Sequence, residues 1–108
     1  MKTTAQKEIN KIVDQLKKEY NPELILLFGS HARGSTHFDS DIDLLLIKNT
    51  RKRPVWRRVD ALKIIDSDYP VDVIVYTPKE FNLLKKKGTG FIRDILSHGK
   101  ILYEKKEG

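Results

Sequence analysis

Three aspartates stand where aspartate is disfavoured. Asp41 and Asp43 open the run Asp41-Ile42-Asp43-Leu44-Leu45-Leu46-Ile47, and Asp72 interrupts Val71-Asp72-Val73-Ile74-Val75. Both runs have the apolar, β-branched content of strands, which aspartate ordinarily avoids. Residues two apart on a strand point to one face, so Asp41 and Asp43 share a face. If the two strands are neighbours, three carboxylates converge at one sheet edge. Carboxylates so close repel and take up protons unless a cation lies between them, and an oxygen-only donor set suits Mg²⁺ or Mn²⁺. Each aspartate alone has a plainer explanation: Asp41 as a turn or strand-edge residue, Asp43 as a solvated one, Asp72 as half of an ion pair. The trio, together with what precedes it, favours the metal.

What precedes it is Gly29-Ser30-His31-Ala32-Arg33-Gly34, directly after the apolar run Leu24 to Phe28. Gly29 permits a sharp turn and close backbone approach, and Ser30 offers a hydroxyl. If residues 30 to 33 open a helix, its free N–H groups form an anion site, which would set a phosphate beside the carboxylates. Arg33 could neutralise phosphate charge or pair with an Asp, and Ser40 reads as a turn or cap residue. Two lookalike motifs fail. Gly29-x-x-x-x-Gly34-Ser35-Thr36 lacks the lysine a P-loop needs. Asp39-x-Asp41-x-Asp43 has Leu44 where a calcium loop needs glycine and Thr50 where it needs glutamate. A phosphatase with an aspartyl nucleophile would carry its Asp-x-Asp after the strand, whereas here the pair opens it.

The elements that must hold these residues follow from periodicity. Ile9, Ile12, Val13 and Leu16 recur at helical spacing, predicting a helix over residues 3–20, capped by Thr3 or Thr4 and stopped at Asn21-Pro22. Strands are expected at 24–28, 41–47 and 71–76, the first without alternation and hence covered on both faces. Between the second and third, Val55, Val59, Leu62 and Ile65 form a helical stripe. Pro78 starts another helix, with Phe81 and Leu84 inside and Gly88 as its stop. Phe91, Ile92, Ile95 and Leu96 mark a last helix before a short strand at 101–103, with Phe91 and Tyr103 expected in the core. The order describes an α/β (α+β) fold: a small mixed β-sheet flanked by helices.

At 108 residues the chain predicts one domain, residues 1–108. It has no cysteine, which excludes a disulfide scaffold, thiolate metal sites and a cysteine nucleophile. His31, His37 and His98 lack the pair spacing of zinc ligands. No apolar run approaches the roughly 20 residues of a membrane span, and the N-terminus has no signal-peptide core, so a cytoplasmic protein is expected. A net charge of +6 favours anionic partners: nucleotides, nucleic acid or an acidic protein surface. The basic segment Arg51, Lys52, Arg53, Arg57 and Arg58 is expected as a solvated loop and helix start. It could also serve, with Trp56, as a docking surface, or with Lys85-Lys86-Lys87 as a nucleic-acid surface, although aromatic interleaving is thin.

A strand, Gly29-Ser30, Gly34, then Ser40-Asp41-Ile42-Asp43 and later Val71-Asp72-Val73 resembles the nucleotidyltransferase superfamily typified by DNA polymerase β. The length and Ala32-Arg33-Gly34 resemble its minimal, single-domain (MNT) branch, whose members are often antitoxin partners of HEPN-domain toxins. The resemblance implies that Asp41, Asp43 and Asp72 are catalytic and hold two Mg²⁺ ions, and that Gly29 and Ser30, with Arg33, grip the phosphates of ATP or another nucleotide. It further implies transfer of a nucleoside monophosphate, AMP from ATP, to a hydroxyl of a partner, such as a tyrosine of a HEPN toxin. A non-catalytic antitoxin that masks its partner is the alternative. Homo- or hetero-oligomers are compatible with either.

Overall fold

The computed structural model describes residues 4–34 and 41–106. Its elements run α1 (Ala5–Glu19), β1 (Leu24–Phe28), α2 (Ser30–Arg33), β2 (Ile42–Ile47), α3 (Pro54–Ile64), β3 (Val71–Tyr76), α4 (Pro78–Lys87), α5 (Gly90–His98) and β4 (Lys100–Glu104). Helix starts follow local chemistry. Thr4 accepts the Lys7 N–H at α1, and at α4 Thr77 and Glu80 form a reciprocal capping box with Pro78 in the first turn. Asn21 ends α1 in the left-handed region, its N–H donating back to the Leu16 carbonyl. Thr3 and Ser40, read above as possible caps, lie outside the described residues.

The strands form one mixed sheet in the order β3-β2-β1-β4. β1 runs antiparallel to β2 and β4, while β2 and β3 are parallel, joined through α3. One face, including Ile25, Leu27, Leu44, Leu46, Val73 and Val75, packs on Ile9, Ile12 and Leu16 of α1 and Ala61 of α3. The other, with Leu26, Leu45 and Ile47, packs on Phe81 of α4 and Ile92 and Ile95 of α5. Burial on both faces is why β1 and β2 read as unbroken apolar runs. Ile42, Leu44, Leu45 and Leu46 are wholly inaccessible, each worth about 1.5–3 kcal/mol of burial. The strands ahead of the site are therefore rigidly held.

Two polar residues of α1 set the segment that feeds β3. The buried Glu8 accepts the Asp68 N–H at 2.6 Å and pairs with Lys11 at 3.2 Å. Burial opposes its charge, but these bonds and one from Ser67 prevail and hold its pKa below the usual glutamate value. Gln15 exchanges hydrogen bonds with the Asp66 backbone in both directions.

Three expectations need correction. In α3 the buried positions are Arg57 and Ala61, whereas Val55 is 60% exposed. Helical spacing placed Val55 on the inner stripe, but the helix turns that residue toward the open side of β3. Arg57 is not solvated: its stem is buried and its head donates to the Lys52 and Val75 carbonyls and to Glu80 at 2.7 Å. In α5, Phe91 and Leu96 lie outward, and Phe91 meets Phe28 edge-on at the rim.

Candidate active site

The parallel register of β2 and β3 sets Asp43 directly beside Asp72. Their side chains share the sheet face of Leu45 and Ile47. Asp41 lies just before β2 and is exposed. On the other side of β2, Asp43 pairs with Phe28, the last residue of β1, so the chain leaves β1 at Gly29 against the Asp43 side chain. Gly29 has φ +76° and ψ −153°, a conformation essentially restricted to glycine, and a Cβ there would stand 2.3 Å from Asp43 Oδ2. The glycine is thus required twice, by its backbone angles and by the carboxylate.

After Gly29 the chain makes the one-turn helix α2. The Gly29 carbonyl accepts the N–H groups of Ala32 and Arg33, both at 3.1 Å, and Gly34 closes the turn in the left-handed region. The opening N–H groups of such a turn are not used by the helix itself, and they lie next to the carboxylates. The Ser30 hydroxyl makes no hydrogen bond among the described residues. Arg33 is an ion-pair residue in this state: its guanidinium bonds Asp94 of α5, which also meets His98 at 3.2 Å. This bond holds the Asp94 carboxyl below its ordinary pKa and raises that of Arg33.

Asp43 is the strained acid of the group. Burial pushes its pKa up, and the negative charges of Asp72 and Asp41 push it further, with His31 partly offsetting them. Asp72 is balanced differently: its Oδ1 accepts from Arg58 at 2.8 Å and from the Val73 N–H at 3.0 Å. Among the described residues, no group of three His, Cys, Asp or Glu side chains stands close enough to hold a metal as arranged. The donor set nevertheless fits a hard divalent cation. It is all oxygen, and its central carboxylate is disfavoured as an anion by burial and by the neighbouring carboxylates, which a cation bound among them would relieve.

The sequence-derived residues thus come together at the end of the sheet: Gly29 and Ser30 on the turn, Asp43 and Asp72 side by side, and Asp41 at the entry to β2. Arg58, Asp94 and Glu8 were missed. Arg58 was one of five cations in a basic run, with no spacing to link it to Asp72. Asp94 is 61 residues from Arg33. Glu8 sits at a helical position that binary patterning allots to either face. In the basic segment Lys52, Arg57 and Arg58 are committed to Asp60, Glu80 and Asp72, which weakens the case for a nucleic-acid surface. No helix among the described residues is long and apolar enough to cross a membrane.

Comparison with known proteins agrees with this fold. A protein of Methanocaldococcus jannaschii, assigned provisionally as a protein adenylyltransferase, is 33% identical over 100 residues, covering 91% of this chain and 97% of its own. A chain from a crystal structure of a toxin–antitoxin with AMP-PNP is 26% identical with TM-score 0.58, covering 90% of this chain and 73% of that one. A chain from the complex of a tri-AMPylated Shewanella oneidensis HEPN toxin with MNT antitoxin shares the fold at 20% identity and TM-score 0.58, over 94% and 74% of the two chains. Residues 10–108 match the polymerase beta nucleotidyltransferase family. With the glycine turn, the paired strand carboxylates and the mixed sheet in place, the chain belongs to the polymerase β nucleotidyltransferase family and is a nucleotidyltransferase.

Proposed function

We propose that this nucleotidyltransferase moves AMP from ATP to a hydroxyl of a partner protein, a tyrosine of a HEPN toxin, and so acts as its antitoxin in the cytoplasm. The observation that carries the reading is the juxtaposition of Asp43 and Asp72 across β2 and β3, with Gly29 pressed against Asp43. The relatives' description as an adenylyltransferase and as toxin–antitoxin structures supports the choice of AMP and of a protein acceptor.

In this reading the turn at Gly29 and Ser30 receives the outer phosphates through backbone N–H groups and the Ser30 hydroxyl. Arg33 leaves Asp94 to meet phosphate charge. Asp41, Asp43 and Asp72 would hold two divalent cations, which supply charge neutralisation of the triphosphate and a lowered pKa at the acceptor hydroxyl. The acceptor oxygen forms a bond to the α-phosphorus, the bond to the bridging oxygen of the β-phosphate breaks, and pyrophosphate departs. Asp72, at the open edge of the sheet, could also receive the acceptor's proton once Arg58 releases it, a role that is unnecessary where the cations already lower the hydroxyl's pKa. The rigid strands fix the carboxylates, which is how positioning lowers the barrier.

The exposed Trp56 and Val55 on α3 favour a second reading, in which the chain neutralises a toxin by covering it. Asp43→Asn and Asp72→Asn separate the two. The transfer reading expects both variants to fold, to bind the partner and to lose transfer and neutralisation together. Neutralisation by the variants equal to wild type would establish masking, and undiminished transfer would remove the site assignment.

A further inference from the structure

β3 is an edge strand, paired with β2 on one side only. The carbonyls of Pro70 and Tyr76 accept from Ile42 and Lys48 on the β2 side, so in a parallel ladder Val71, Val73 and Val75 turn their main-chain groups outward. Two of these groups are satisfied internally: the Val73 N–H by Asp72 and the Val75 carbonyl by Arg57. The Val73 carbonyl and Val75 N–H have no partner among the described residues. Exposed edges are usually blunted or covered. This one instead forms the floor of a groove of about 580 Å³, walled by Pro54 and Val55 of α3 and Leu83 and Leu84 of α4. Val55 and Leu83 are 60% and 55% exposed. The groove starts at Asp72 and Arg58 and reaches Tyr76 and Glu80, a span of roughly 13 Å at strand rise.

The groove walls are apolar, but the elements that bear them are basic. Arg51 and Arg53 precede α3, and Lys79, Lys86 and Lys87 lie on α4; none of the five forms an ion pair among the described residues.

We propose that this groove is the acceptor channel. An extended segment of the protein being modified adds to the open edge of β3 as a further strand, bonding the Val73 carbonyl and Val75 N–H. Its alternate apolar side chains fill the space between Val55 and Leu83, and acidic residues flanking them meet the free cations. The hydroxyl residue is then delivered at Asp72, where the groove opens on the carboxylates. An acid on the incoming strand also draws Arg58 away, freeing Asp72. The inference rests on the transfer reading for its chemistry, while the docking can be read separately.

Two synthetic peptides of alternating valine and threonine flanked by aspartates, with tyrosine at one end or the other, cover both strand directions. Their binding to the full chain is followed by affinity and by amide hydrogen exchange. At least one should bind and slow exchange at the Val75 amide by about tenfold or more. Leu83→Glu and, independently, Val55→Glu should weaken that peptide by about tenfold or more. Both are exposed positions, so the thermal unfolding midpoints should not move. Replacing the aspartates by lysines should abolish binding. Failure of both peptides to bind, binding with Val75 exchange unchanged, or variants that bind as wild type would each overturn the channel. So would Val75 protection that tracks chain concentration without peptide, which assigns the edge to a second copy. A docked tyrosine peptide that takes up no α-phosphate label upholds the groove and counts against the transfer reading.

Discussion

Replacing Gly29 by alanine tests the geometry at the centre of the site. The new Cβ would lie 2.3 Å from Asp43 Oδ2, and real Cβ atoms essentially never come within 3.0 Å, so the carboxylate or the turn must retreat by at least about 0.7 Å. The backbone at φ +76° and ψ −153° adds about 1–3 kcal/mol of strain, which corresponds to a fall of roughly 5–20 °C in Tm for a chain of this size. Displacement near 1 Å of a group that positions reactants costs about 100-fold in rate, so transfer should fall by about 10- to 100-fold at temperatures where the variant is folded. Gly34→Ala is the control. It has a similar positive φ of +77° but no atom of the described residues within 4 Å of its Cβ, so it should lose about 1 kcal/mol and retain transfer. The assay pairs thermal unfolding by circular dichroism with AMP transfer on each variant. Gly29→Ala with wild-type transfer, or Gly34→Ala with an equal loss, would refute the assignment of the turn to the site.

The Arg57 side chain is buried and donates to two carbonyls and to Glu80. Since Glu80 can regain water, Arg57→Ala should cost about 2–3 kcal/mol, measured from urea unfolding; a change under about 0.5 kcal/mol would contradict the bonding described. The Arg57 hydrogen bond foremost, with that from Thr77, holds the Glu80 carboxyl below its usual pKa despite partial burial. A depressed folded pKa gives stability that is complete above the unfolded value of about 4.3 and is lost as pH falls through the folded one. Acid should therefore lower the urea midpoint of wild type more than that of Glu80→Gln, and equal acid sensitivity would exclude this contribution. Asp94→Asn releases Arg33 on the surface. It should leave the unfolding midpoint unchanged and lower KM for ATP, whereas Arg33→Ala should raise it; unchanged KM in both would remove Arg33 from phosphate binding.

Much of the fold was legible because each element announces itself locally. The apolar runs expected as strands at 24–28, 41–47 and 71–76 hold strands buried on both faces or one, and Pro78 marks a helix start by itself. The turn and the carboxylates were legible for a different reason: glycine and aspartate are expensive at strand ends and interiors, so their presence there asks for a cause. Pairings between distant segments were not legible. Arg57 looked solvated because charge outweighs stem length in any hydropathy reading, and only Glu80 and two carbonyls waiting inside reverse that. Helical spacing placed Val55 on an inner stripe and did not single out Leu83, since an open sheet edge between two helices is a property of topology, absent from either helix alone. The hold of Arg58 on Asp72 belongs to the same class, as parallel pairing of β2 and β3 brings α3 back across the edge.

The most direct test of nucleotidyl transfer uses ATP labelled at the α- or the γ-phosphate, with Mg²⁺ and the partner protein or a host lysate, beside an Asp41→Asn/Asp43→Asn variant of unchanged fold. Label on a macromolecule from the α-position alone, absent with the variant, is the result predicted. Label from the γ-position alone would mean a kinase-like reaction, and α-label undiminished in the variant would place the chemistry elsewhere; either contradicts the site built here from Gly29, Ser30 and the three aspartates.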